Sequence, residues 1–205
     1  MNLQESYIQV KNHPYLLGFE PKYSHNFYQA LSELESAAYN VFWKFNKNTD
    51  EDTLITYYEH TWFPMLDLYT HDVNRDLSYI ISNNYTPNNC DKFNFGSFII
   101  RLNNIISICH AYIENREITI LPSGNEHCMH TMEKCDNGYY RRVYVGDERL
   151  FEHLIQFYKK EIEKWLKHIE NSYDSKWEQT CLKSDQIMLK DLEEKTGIFY
   201  KIKQK

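Results

Sequence analysis

Residues 27–45 read FYQALSELESAAYNVFWKF, and the spacing of their apolar positions decides the fold class. Phe27, Leu31, Leu34, Ala38, Val41 and Phe45 recur at alternating intervals of four and three. That spacing lays one apolar stripe along a helix, and the stripe needs further helices to cover it. Upstream, residues 1–24 hold Pro14, Gly18 and Pro21 and read as an irregular arm with a short strand over 6–10. Downstream, Thr49-Asp50-Glu51-Asp52 has the form of a helix start, with Thr49 as cap and acids in the first turn. This second helix is expected to run to residue 81, kinked or split at Pro64, with Leu66, Tyr69, Val73, Leu77 and Ile80 as its stripe.

Residues 82–91 (SNNYTPNNCD) are polar and turn-rich. A third helix over 95–115 carries Phe98, Leu102, Ile105, Cys109 and Tyr112 on one face. The period then shortens towards two. Residues 117–121 form a short run rich in β-branched side chains, and 128–134 and 139–145 flank Asp136-Asn137-Gly138, whose residues tolerate a hairpin turn. After Gly146-Asp147 a fourth helix follows, with Leu150, Leu154, Tyr158, Ile162, Trp165 and Ile169 as its stripe. A fifth over 184–195 stops at Gly197, and 198–202 suggests a last strand. The expectation is a mainly α (α+β) protein, a bundle of five helices with a small antiparallel β-hairpin or sheet inserted after the third. One domain is expected over 1–205: an arm to 24, helices over 25–116, the sheet over 117–146, and helices with a terminal strand over 147–205.

At 205 residues, 42% hydrophobic and 25% charged, the chain fits one ordinary globular core. The N-terminus has no basic and apolar leader pattern, and no stretch reaches the ~18 apolar residues of a membrane span. Five scattered cysteines, an odd number, suit reduced thiols in a cytoplasm. Seventeen Lys against six Arg, with abundant Asn, point to an AT-rich bacterial or phage genome.

The motifs with chemistry are few. His127, Cys128, His130 and Cys135 are zinc-type ligand chemistries around a turn, but they match no C-x-x-C spacing. His60, Asp67 and His71 fall on one helix face, yet no Glu-x-x-His pair or His-Glu-x-x-His sequence lies on the helices. Incidental placement is the expected reading of both sets, and no cofactor is expected. There is no Gly-x-Ser-x-Gly elbow, no Gly-x-Gly-x-x-Gly and no phosphate loop. Cys109 and His110 are helix neighbours, so their side chains diverge and cannot form a thiolate–imidazole pair. The expectation therefore leans against an enzyme.

Charge is the strongest functional signal. Residues 1–85 hold eleven acids against five bases, which accounts for the whole formal net charge of −6. Residues 86–146 carry six of each sign and 147–205 twelve of each. Between Asp50 and Asp76 the acids alternate with aromatics: Asp50, Glu51, Asp52, Glu59, Asp67 and Asp72 with Tyr57, Tyr58 and Trp62. Carboxylates around desolvated rings fit the rim and anchors of an interface with a basic protein. The expected function is a non-enzymatic inhibitor or immunity-type protein that occludes such a partner. Two alternatives stand beside it: a metal-dependent or metal-stabilised domain using the His/Cys set, and a nucleic-acid module using the Tyr/Arg run 139–144, with Arg142 as a contact. Arg142 also counts among the expected protein contacts. Two arginines make a poor phosphate track, so nucleic acid is disfavoured.

Overall fold

Leu3, Ser6, Tyr7 and Val10 are buried along one side of α1 (Leu3–Lys11), where the sequence suggests an arm and a strand over 6–10. A capping box decides the matter. The Asn2 side chain accepts from the Glu5 N–H at 2.9 Å, and Glu5 accepts from the Asn2 N–H at 3.0 Å. With two end donors satisfied, the 3-4-7 spacing of the buried residues favours a helix over alternation. Two 3-10 turns follow, Pro14–Leu17 and Pro21–Tyr23, each opened by its proline. Between them Phe19 adopts a left-handed φ of 53°. That conformation costs about 1 kcal/mol in a residue with a Cβ; it buries the ring against Tyr15 and Phe98, at centroid distances of 5.4 and 6.0 Å.

The computed structural model describes residues 1–46, 62–89, 93–114, 130–134, 136, 140–144, 146–171 and 175–194. The chain divides into two compact units, Met1–Ile118 and Thr119–Lys205, where the sequence shows no boundary.

In the first unit, α1 is joined by α2 (Ser24–Asn46), α3 (Trp62–Asn83) and α4 (Phe95–Ile113). α1 packs on α2 and α4, and α3 packs on the same two, which closes a four-helix ring. Phe27, Leu31, Leu34 and Ala38 of the opening stripe are buried in it, together with Ala30 and Ala37. Leu66, Val73, Leu77 and Ile80 fill the α3 face. Thr70 is buried too; its hydroxyl donates to the Leu66 carbonyl at 2.8 Å. Pro64 occupies the first turn of α3, where its missing N–H removes no helical bond. The stretch from Thr49 to residue 61, on the other side of the expected kink or split, lies outside the described residues. α3 ends at Asn84, φ 52°, with Tyr85 N–H donating to the Ile80 carbonyl at 3.0 Å. α4 starts on Asn94, whose side chain accepts from the Ser97 N–H at 3.0 Å. It runs through the core with Phe98, Leu102, Ile105, Ile108 and Cys109 fully buried.

The second unit holds α5 (Glu148–Asn171) and α6 (Lys176–Glu194), which pack on each other. Lys159 bonds Glu193 and Trp165 bonds Asp185, so the helices run antiparallel. Asp147 caps α5, its side chain accepting from the Arg149 N–H at 3.0 Å. α6 begins eight residues before the start expected from sequence.

The architecture is helical, with six α-helices among the described residues. The α+β class is therefore corrected: a sheet inserted into the bundle is not a layer of this fold. Residues His130–Lys134 and Tyr140–Tyr144 run antiparallel, paired with each other alone among the described residues. No described helix packs broadly on them. Two short paired segments with no third strand among the described residues contribute little stability of their own. The expected cap at Thr49 and the strands over 117–121 and 198–202 lie outside the described residues.

Candidate functional site

α3 carries Asp72, Arg75 and Asp76 within little more than one turn, and α4 brings Arg101 against them. Arg101 Nη1 donates to Asp76 Oδ2 at 2.7 Å, and its Nε lies 3.7 Å from Asp72 Oδ2. Arg75 reaches the same two carboxylates, 3.1 Å from Asp72 and 3.6 Å from Asp76. The Asp76 and Arg101 side chains keep only 13% and 15% of their surface exposed. Burial pushes the Asp76 carboxyl above its ordinary range, and the two guanidiniums oppose the shift without cancelling it. Two acids and two bases leave this cluster neutral. It fixes the register of α3 on α4.

Asp72, expected as a docking carboxylate, is thus held inside the molecule's own ion network. Arg101 is the residue that sequence reading missed. Its signal was present: apart from His110, it is the only ionisable Lys, Arg, His, Asp or Glu side chain between Phe95 and Ile113. A lone guanidinium in an apolar helix needs a carboxylate.

The outer stripe of α3 has a different character. Leu68, Asp72, Arg75 and Tyr79 follow one another at spacings of four, three and four, within about 60° of arc at ~100° per residue. Leu68 is 51% exposed and Tyr79 46% exposed, one at each end of the paired charges. A second contact reaches α2, where the Glu35 carboxylate accepts from the Asn74 amide at 2.9 Å.

The other expected residues are distributed as follows. Asp50, Glu51, Asp52, Tyr57, Tyr58, Glu59 and His60 lie outside the described residues. Trp62 opens α3 and Asp67 stands one turn further on, with neither side chain described. His71 is exposed. Arg142 pairs in register with Met132, its side chain likewise undescribed. Of the His/Cys set, His130 begins the first paired segment, while His127, Cys128 and Cys135 lie outside the described residues. Among the described residues no three His, Cys, Asp or Glu side chains come together to hold a metal ion. Cys109 is fully buried and its thiol is pushed up to about 12, while His110 turns to Glu114 at 3.2 Å. The pair is not a nucleophile and its base. No described helix is long and apolar enough to cross a membrane.

No protein-family model, curated protein or solved structure matches this chain.

Proposed function

We propose that this is a non-enzymatic cytoplasmic binding protein that docks a basic protein partner, as an immunity protein docks a toxin or a phage inhibitor a defence protein. The observation that supports it most is the outer stripe of α3, where exposed Leu68 and Tyr79 bracket the Asp72–Arg75 pair. This stripe continues the acidic, aromatic run that begins at Asp50. Exposed apolar side chains beside charged ones suit an interface, the apolar groups as anchors and the charges as its polar complement. Asp50, Glu51, Asp52, Glu59 and Asp67 supply the attracting field, Tyr57, Tyr58 and Trp62 the anchors, and Leu68 and Tyr79 extend them. Asp72 serves as a fixed member of the rim, because Arg75 and Arg101 neutralise it.

Affinity capture from bacterial lysate at low and high ionic strength tests the reading. The wild-type bait is compared with one carrying Asp50→Lys, Glu51→Lys and Asp52→Lys. The expected result is a basic protein retained at low salt by the wild type and released by salt. The variant's association rate with it should be lower by tenfold or so. Baits that retain the same proteins at the same rates would overturn the electrostatic dock.

A further inference from the structure

α6 turns one side to α5, where Asp185 accepts from Trp165 and Leu192 is buried. Away from that side, Trp177, Thr180, Ser184 and Ile187 follow one another at spacings of three, four and three. At ~100° per residue they fall within about 80° of arc. All four are exposed, Trp177 by 71% and Ile187 by 47%. Beside this row Lys176, Lys183 and Lys190 recur every seven residues, a column of exposed ammonium groups along the helix. Lys190 lies 4.0 Å from Glu194 and its side chain is still 73% exposed. In heptad terms Trp177 and Ser184 take the a positions, Thr180 and Ile187 the d positions, and the three lysines every g position. Asp191 and Glu194 hold the next a and d places and end the row. Its length from Trp177 to Ile187 is about 15 Å at ~1.5 Å per residue.

Two large side chains with two small ones between them leave room over Thr180 and Ser184. A facing helix can approach there to the ~8–10 Å of ordinary helix packing. The g column sets the sign of that helix, because flanking charges choose the partner of a helical seam. A second copy of α6 is the wrong sign: antiparallel, it would bring lysine column against lysine column, and parallel, it would offer Cys181 and Met188 in place of carboxylates. A lipid surface needs a continuous apolar stripe, which Thr180 and Ser184 interrupt. Three ammonium groups closed off by Asp191 and Glu194 make a short phosphate track.

We propose that this face of α6 docks an acidic amphipathic helix of another protein. The helix sets large apolar side chains between Trp177 and Ile187 and its carboxylates against Lys176, Lys183 and Lys190. The surface is separate from the α3 stripe and opposite in sign, so its failure would leave the docking of a basic partner standing.

Fluorescence anisotropy of a labelled synthetic helix with the full chain tests the proposal. The probe is a three-heptad peptide with Leu at a and d and Glu at e and g. The expected result is saturable binding, with new hydrogen-exchange protection in α6 peptides spanning 176–190. Trp177→Ala should weaken it at least fivefold, and Lys176→Glu with Lys183→Glu and Lys190→Glu at least tenfold. Both variants change exposed side chains and should keep the helical circular dichroism of the wild type. Absence of binding, affinity indifferent to Trp177→Ala, or protection confined to other helices would each overturn it. So would tighter binding to phosphatidylglycerol vesicles or to oligouridylate than to the peptide, or a dimer in sedimentation that Trp177→Ala dissolves.

Discussion

The two units of this chain use helices in opposite ways. In the first, α1 to α4 close a ring around Tyr15, Phe19, Phe27, Phe98 and a continuous aliphatic core. In the second, α5 and α6 form a hairpin whose buried apolar residues, among those described, are Leu150, Phe151, Leu154 and Leu192, all near one end. Towards the other end Trp177 is 71% exposed, and Tyr158, Ile162 and Trp165 are half-buried. The comparison teaches that an apolar stripe announces a helix but does not say how completely it will be covered. α5 has as clean a stripe as α2, yet α2 lies in a ring and α5 has one helical neighbour among the described residues of its unit. Local opening should therefore be easier in the second unit.

The sharpest way to break the first unit is through its centre. Phe98 is fully buried among Phe19, Phe93 and Phe95, with ring centroids 6.0 to 6.1 Å away. Phe98→Ala should destabilise the ring by about 3–5 kcal/mol. Urea unfolding followed by hydrogen exchange should show the loss in peptides from α1 to α4 and leave α5 and α6 protected. Equal loss in both units would show that they unfold together. A smaller effect is expected from Arg101→Met, which leaves Asp76 and Asp72 with Arg75 alone. Removing one partner of a buried pair costs about 3–5 kcal/mol; residual exposure and Arg75 should reduce this to about 2 kcal/mol. The deficit should shrink as pH falls, because a buried Asp76 left with the more distant Arg75 alone is most tolerable when protonated. A deficit that stayed constant from pH 7 to pH 5 would assign the loss to packing instead.

Particular residues explain what could be read in advance. The stripe from Phe27 to Ala38 was legible because its burial partners are helices of the same period. α1 is hard to read because Ser6–Val10 is a span too short to separate the two periods; the decisive signal is Asn2 and Glu5 three residues apart. The early start of α6 was hidden because Trp177 stays in solvent and Cys181 and Leu182 are only half-covered. The period-two pattern over 128–145 was real in sequence but named no helix or third strand to pack on. As to the site, counting charges located an acidic run but could not show that Asp72 and Asp76 are claimed by Arg101, 25 or more residues away.

The second unit has its own titratable switch point. Asp185 accepts from Trp165 Nε1 at 2.8 Å. Burial raises its pKa above 3.8, the Glu161 charge adds to the rise, and the indole bond opposes it. A carboxyl with a raised folded-state pKa favours the fold most when protonated, so the hairpin should lose stability as pH rises from 3.8 through the raised value. Asp185→Asn keeps an acceptor for the indole and should remove that slope, with a net change at pH 7 within about 1 kcal/mol. Hydrogen exchange of α5 and α6 peptides between pH 4 and pH 7 would measure it. An unchanged slope would place the titration elsewhere.

The smallest expected effect returns to the first unit and has the opposite sign. His13 Nδ1 accepts from the Tyr15 N–H at 3.2 Å and caps the 3-10 turn that positions Tyr15 in the core. Accepting there requires the neutral ring, with its proton on Nε2. Burial lowers the His13 pKa below 6.5, in keeping with that form. Stability from this cap is therefore full above pH 6.5 and declines as pH falls from there through the lowered value. His13→Asn retains a side-chain acceptor at the cap position without a titrating group. The wild type should lose a few tenths to about 1 kcal/mol between pH 7 and pH 5 relative to this variant, read as the difference in urea midpoints at fixed slope. Parallel curves would mean that the cap survives protonation, and that Tyr15 is held by its stacking on Phe27, 4.9 Å between centroids, rather than by the turn beneath it.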